Sequence, residues 1–150
     1  MQRKLNYLVI LLGIVGLVDS AYLTYEHFQT NTLGCPIFGG CNEVLRSQYS
    51  EILRIPTSLL GVIYYLTLIF VSILILFKKA DLLKLLVLIT FFGFLFSMWL
   101  VYLQLFVIKN ICAYCLFSAL LSTLIFIITF IHYQRQKPHS EIVENKTKLL

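Results

Sequence analysis

The sequence predicts an all-α protein: a four-transmembrane-helix bundle with an outer loop that carries a short amphipathic helix. Three observations predict it. Hydrophobic residues make up 59% of the 150 positions and charged residues only 13%, about half the charged share of an ordinary soluble domain. Long apolar runs without charge recur along the chain. The basic residues sit in small groups between those runs. A water-soluble globule is excluded because too few polar side chains exist to cover it, and disorder because the chain is too apolar. At roughly 20 residues per crossing, the length allows about four crossings with short connections. The net charge of +5 does not point to nucleic acid, because basic residues placed this way are read as membrane topology.

The first segment, 5–25 (LNYLVILLGIVGLVDSAYLTY), carries one charge, Asp19. Its basic start at Arg3 and Lys4 and the small residues Ser20 and Ala21 also suit a cleaved signal peptide. The apolar character resumes through Tyr22 and Leu23, and removal would leave three helices, so it is read as a retained helix. The loop 26–56 follows. Within it, Cys35-Pro-Ile-Phe-Gly-Gly-Cys41 is a short glycine-bearing turn. Asn42 then suits the cap of a helix over 42–54, with Leu45, Tyr49, Ile52 and Leu53 at helical spacing. That helix is read either as a lid on the membrane surface, with Glu43, Arg46, Glu51 and Arg54 solvated, or as an ordinary amphipathic connector. The segments 57–77, 85–108 and 111–131 contain no formal charge. Each exceeds the 18 residues that mark a spanning helix, and lipid leaves helix as the only way to satisfy the backbone. Residues 1–133 thus form the membrane domain. Residues 134–150 form a polar tail, which contains Pro138 and is expected to be flexible.

Orientation follows from Lys and Arg. Arg3, Lys4, Lys78, Lys79, Lys84, Arg135, Lys137, Lys146 and Lys148 fall on one side, against Arg46, Arg54 and Lys109 on the other. That bias puts both termini, and the tail, in the cytoplasm. A multi-pass cell-membrane protein is expected, with the 26–56 loop and the 109–111 turn facing outward.

The cysteines are Cys35, Cys41, Cys112 and Cys115. In this orientation all four face the outer side, where disulfides persist. Three readings stay open: structural disulfides stapling the outer loops, a four-cysteine zinc site, and a redox relay built on C-x-x-C. Position favours the relay. Asn110 reads as a helix N-cap, which puts Cys112 in the first turn, where backbone N–H groups and the helix dipole favour a thiolate. Cys115 follows at i+3 on nearly the same face, one turn deeper. One sulfur at the water interface and one just inside the bilayer suits electron passage between a water-soluble dithiol and a lipid-soluble carrier. A staple gains nothing from that depth difference.

These residues resemble the vitamin K epoxide reductase family in its short bacterial form, over roughly 5–133. The carrying features are the four helices, the loop pair Cys35 and Cys41, IPTSLLG at 55–61, and Cys112-Ala-Tyr-Cys115 opening the last helix. The DsbB-type oxidases also combine four helices with a quinone, but there the C-x-x-C pair lies in the first outer loop, the reverse of the order here. The resemblance implies that Cys35 exchanges disulfides with a DsbA-type thioredoxin-fold partner and that Cys41 passes electrons to Cys112. Cys115 then faces a quinone, ubiquinone or menaquinone, as electron acceptor. Such a relay supports disulfide bond formation. Ser58 matches the serine ahead of the family's glycine, here Gly61, and is expected near the active-site sulfurs; the alternative is a serine satisfied by a helical carbonyl. Vertebrate members have asparagine where Thr57 stands and tyrosine where Ala119 stands. Those departures weigh against epoxide chemistry and leave quinone reduction intact. Many bacterial members carry a fused thioredoxin domain; this chain has only the polar tail, so the partner is expected in trans. The competing class is a non-enzymatic membrane protein held by structural disulfides.

Other candidates are fewer. Asp19 suits proton transfer or a place at the headgroup level. His27 is read as solvated near the outer surface. The Phe91, Phe92, Phe94 and Phe96 cluster suits a pocket wall, or ordinary packing and lipid-facing surface. Trp99, Tyr102 and Tyr114 suit interface anchors.

Overall fold

The structure, a computed structural model, describes residues 2–28, 44, 47, 51–52, 55–77 and 82–148; the side chains of 2–3, 51–52 and 136–148 are not described. Helix α1 spans Gln2–Phe28. Strands β1 (Glu51–Ile52) and β2 (Ile55–Pro56) precede α2 (Thr57–Leu76). Helix α3 spans Leu82–Tyr102 and runs on as a π-helical turn over Leu103–Ile108. Helix α4 spans Ala113–Lys148. Four stretches are long and apolar enough to cross a membrane: Lys4–Phe28, Thr57–Leu76, Leu82–Ile108 and Ala113–Arg135. The protein is an all-α, multi-pass membrane protein.

Helix α1 packs against α2 and α4, and α3 packs against α4 and α2. The main core joins Val9, Tyr65, Leu68, Val71, Leu83, Leu86 and Ile125 from all four helices. Large apolar residues also point outward, among them Leu11, Val18, Phe70, Leu88 and Leu120. A helix that is apolar all round suits lipid on one side and protein on the other. What distinguishes the inner face is small and polar residues. Gly16 leaves room for the Tyr65 ring, and Gly93 for the Tyr64 ring; a Cβ at either position would fall within the ring it faces. Small residues allow such close approach between membrane helices. Polar groups inside find backbone partners: Asn6 Nδ2 donates to the Ser72 carbonyl at 2.9 Å, and Tyr65 Oη donates to the Ser118 carbonyl at 3.2 Å.

Two expectations change. The helix over 42–54 does not run its full length. Val44 is helical and its carbonyl accepts the Ser47 N–H at 3.3 Å, but Glu51 and Ile52 pair antiparallel with Pro56 and Ile55. Pro56 holds Ile55 extended, and β-branched Ile52 and Ile55 favour the same conformation. Asn42, Glu43, Leu45, Arg46, Tyr49, Leu53 and Arg54 lie outside the described residues. Second, the expected flexible tail is helical to Lys148, across Pro138. Proline removes one backbone donor yet holds a helical φ, and its neighbours Arg135, Gln136, Lys137 and Glu141 are good helix formers.

Candidate functional site

One end of the bundle gathers the C-terminal half of α1, the start of α2, the π-helical end of α3 and the start of α4. Lys109 takes a left-handed conformation (φ 56°, ψ 27°), a common way to end a helix. The chain then returns, and α4 begins at Ala113. The cap position therefore belongs to Cys112 and not to Asn110, which lies two residues further out. The Cys112 carbonyl accepts the Leu116 N–H at 3.1 Å, and its Sγ accepts the Cys115 N–H at 3.4 Å. A sulfur thus does what a serine or aspartate oxygen does at other helix starts. Asn110 was the wrong cap because a loop residue's capping propensity does not reveal where the turn after Lys109 releases the chain.

Cys112 is fully buried, packed with Leu23 and Val44 and flanked by Ile108, Tyr114 and Cys115. Both Cys112 and Cys115 are free thiols. Cys112 lies just ahead of the fourth span. A hydrogen bond from the Cys115 thiol, joined by the backbone N–H groups of Cys115 and Tyr114, holds the Cys112 thiol below its ordinary range, against burial and the charge of Asp19. The helix start supplies positive potential in the same sense.

Beside the pair lies a cavity of about 460 Å³. Leu60, Ile89, Phe92, Phe96, Leu100 and Leu103 give it apolar walls, and Cys115 lines it; Cys112 does not. Thr57, Ser58 and Ala119, the sequence-predicted ligand positions, all line it. Ser58 Oγ is buried and has no hydrogen-bond partner among the described residues, so the helical-carbonyl alternative for that serine does not hold. Val44 and Ser47, from the loop between α1 and α2, also line the cavity, so part of that loop covers the thiol pair. Cys35 and Cys41 lie outside the described residues.

The phenylalanine cluster divides. Phe92 and Phe96 face the cavity, whereas Phe91 and Phe94 pack on Phe126. Trp99 and Tyr102 stack, exposed, and Tyr102 stacks on Phe106. Tyr114 packs on Tyr22, and His27 sets its ring edge-on to Phe28. Asp19 is 9% exposed and its Oδ2 has no hydrogen-bond partner among the described residues. Its charge acts on Tyr65, Cys112 and Cys115, which places it near the thiol pair. Gln104 lines the cavity and binds the Cys112 backbone. Sequence reasoning passed over it; the available signal was a lone amide in an uncharged run, eight residues before the C-x-x-C pair.

Fold and site together define a class: a multi-pass membrane protein with a dithiol at a helix start beside an apolar cavity. The sequence matches the Vitamin K epoxide reductase family over residues 7–130, and the chain belongs to that family. The matched region contains all four cysteines. Its members are membrane oxidoreductases related to quinone chemistry.

Proposed function

We propose that the protein is a quinone-dependent thiol–disulfide oxidoreductase that supports disulfide bond formation. A reduced thioredoxin-fold partner of the DsbA type, acting in trans, gives two electrons at Cys35 and Cys41. Cys112 and Cys115 re-form the loop disulfide by exchange, each hop needing a thiolate beside a disulfide sulfur. The C-x-x-C dithiol then becomes a disulfide, releasing two electrons and two protons to a quinone, ubiquinone or menaquinone, which leaves as the hydroquinone. Both termini lie in the cytoplasm, and the cysteines face outward.

One observation carries this reading: Cys115 lines the apolar cavity while its mate Cys112 lies behind it at the helix cap. The two thiols thereby divide the work. Cys112, held as the better thiolate, suits exchange with the loop pair, and Cys115 suits delivery to a ligand in the cavity. A quinone fits the lining. The walls take its ring, and the Ser58 hydroxyl, unpaired among the described residues, offers a hydrogen bond to a carbonyl. Cavities of this size and character are typical of small-molecule sites. Thr57 and Ala119 supply neither the amide nor the phenol of the vertebrate enzymes, which favours quinone over epoxide as substrate.

The test is quinone-dependent oxidation of a thioredoxin-fold dithiol by the purified protein in detergent. Turnover is expected with wild type and should vanish in Cys115→Ala. Near-full quinone reduction by Cys115→Ala would refute the order of the relay.

A further inference from the structure

The cavity wall holds a pair of hydroxyls to which the relay assigns no part: Tyr65 on α2 and Ser118 on α4. They meet across the bundle interior. Tyr65 Oη donates to the Ser118 carbonyl at 3.2 Å and stands 3.1 Å from the Ser118 hydroxyl. Hydroxyls of membrane helices commonly turn back to a carbonyl of their own helix, as Thr24, Thr67, Thr123 and Thr129 do here. Ser118 is held instead by a residue of another helix.

That holder is firmly placed. Tyr65 is 1% exposed, and its ring fills the notch that Gly16 leaves on α1. A serine hydroxyl has one proton and two lone pairs, and the proton rotates to suit. When Tyr65 donates to Ser118 Oγ, the serine proton is free to turn into the cavity. When it turns back, Tyr65 Oη accepts it and donates to the Ser118 carbonyl. One rotation therefore makes or withdraws a donor with no heavy atom moving. Ser118 also follows Cys115 at i+3, which puts the two on nearly the same face of α4. Cys115 lines the same cavity, so a ring seated against its sulfur has Ser118 at its side. A quinone has two carbonyls, and Ser58 answers only one.

We propose that Ser118 donates the second hydrogen bond to the quinone, at the carbonyl that Ser58 leaves open, and that Tyr65 is the positioning residue that keeps the Ser118 hydroxyl at the cavity and away from its own helix. The inference rests on the redox reading above. Negative charge gathers on a carbonyl oxygen as electrons arrive, and a donor aimed there binds it more strongly than the neutral oxygen. Oxidation of the dithiol still releases two electrons and two protons to the quinone; Ser118 and Tyr65 keep their own protons.

The test is equilibrium binding to the full-length protein in detergent, with the C-x-x-C pair oxidised so that no turnover occurs. The probe is decylubiquinone or menadione, whichever wild type binds more tightly, and infrared difference spectra read its carbonyl bands when bound. Ser118→Ala removes only a hydroxyl. It should weaken binding by about fivefold and return one carbonyl band toward its position in an apolar solvent. Ser118→Thr keeps the hydroxyl and should preserve both readouts. Tyr65→Phe keeps the ring in its notch but lets Ser118 turn to its own helix. It should act in the same direction by less, and it carries the test if Ser118→Ala does not fold. Binding within about twofold of wild type with unchanged bands would overturn the role of the pair while leaving the redox reading intact. Weaker binding with unchanged bands would also overturn it, since that marks a packing role. A wild-type protein that binds neither probe would overturn both readings.

Discussion

Cys112 and Cys115 stand three positions apart in the sequence, yet their environments differ in kind. Cys112 receives N–H groups from the helix start and a hydrogen bond from its mate; Cys115 lines an apolar cavity. The sign of the first effect is testable. A thiol whose folded-state pKa lies below its unfolded value stays ionised to lower pH than free cysteine, near 8.5. Its contribution to stability is present above the unfolded pKa and is lost as pH falls through the folded one. In an ultraviolet thiolate titration of the reduced protein, a step is expected below the ordinary cysteine range and should disappear in Cys112→Ser. A step only at or above that range would contradict the capping geometry. The downward pull on the Cys112 thiol was legible from C-x-x-C at a helix start, because the dipole argument needs only that Cys112 be near the end. The sulfur's role as the cap itself was not, since it depends on where the left-handed Lys109 turns the chain. Gln104 offered only the weak signal of a lone amide in an uncharged run, because its partner, the Cys112 N–H, lies across the chain reversal before α4.

At the scale of elements, the four spans were readable because lipid demands helices, and the apolar runs mark the extent of the spans within a few residues, though not that of the last helix, which continues to Lys148. Their inner faces were not. Apolar side chains surround each helix, so hydrophobic periodicity carries little signal, and the packing is written instead in glycine notches. Gly16 against Tyr65 is the clearest. An added methyl there meets the ring directly, at Cε1 and Cζ, whereas at Gly13 it meets aliphatic carbons less closely, Ile69 Cγ1 at 3.0 Å and Leu68 Cδ2 at 3.2 Å. Overpacking a buried contact typically costs about 1–3 kcal/mol. Gly16→Ala is therefore expected to lower the melting temperature in detergent clearly more than Gly13→Ala does. Equal effects would mean that α1 and α2 slide apart at little cost. The loop shows the opposite failure of pattern reading. Helical spacing over 42–54 was real, but Pro56 and two isoleucines turn its end into an extended pair, a constraint local to the junction with α2.

For the whole molecule, the question is whether the outer loop is a relay or a staple. The proposed topology requires that an impermeant thiol reagent label Cys35 on intact, reduced cells; labelling only after the membrane is broken would overturn it. The loop also borders the active end: Val44 packs on Cys112 and, with Ser47, lines the cavity. A folded protein donor has to dock outside that cover and attack an accessible sulfur, whereas dithiothreitol is small enough to bypass it and reduce the C-x-x-C pair directly. In the relay, Cys35→Ala should lose activity with the protein donor and keep much of it with dithiothreitol. Cys112→Ala should lose both, because Cys115 then has no disulfide mate. A structural staple predicts a different pattern. Losing Cys35 would then remove a disulfide worth about 2–4 kcal/mol, lowering the melting temperature and depressing both activities together. Measuring the two activities side by side, with thermal unfolding as the control, separates the readings: selective loss with an unchanged melting temperature assigns Cys35 to electron transfer, and equal loss with a lowered one removes it from the relay.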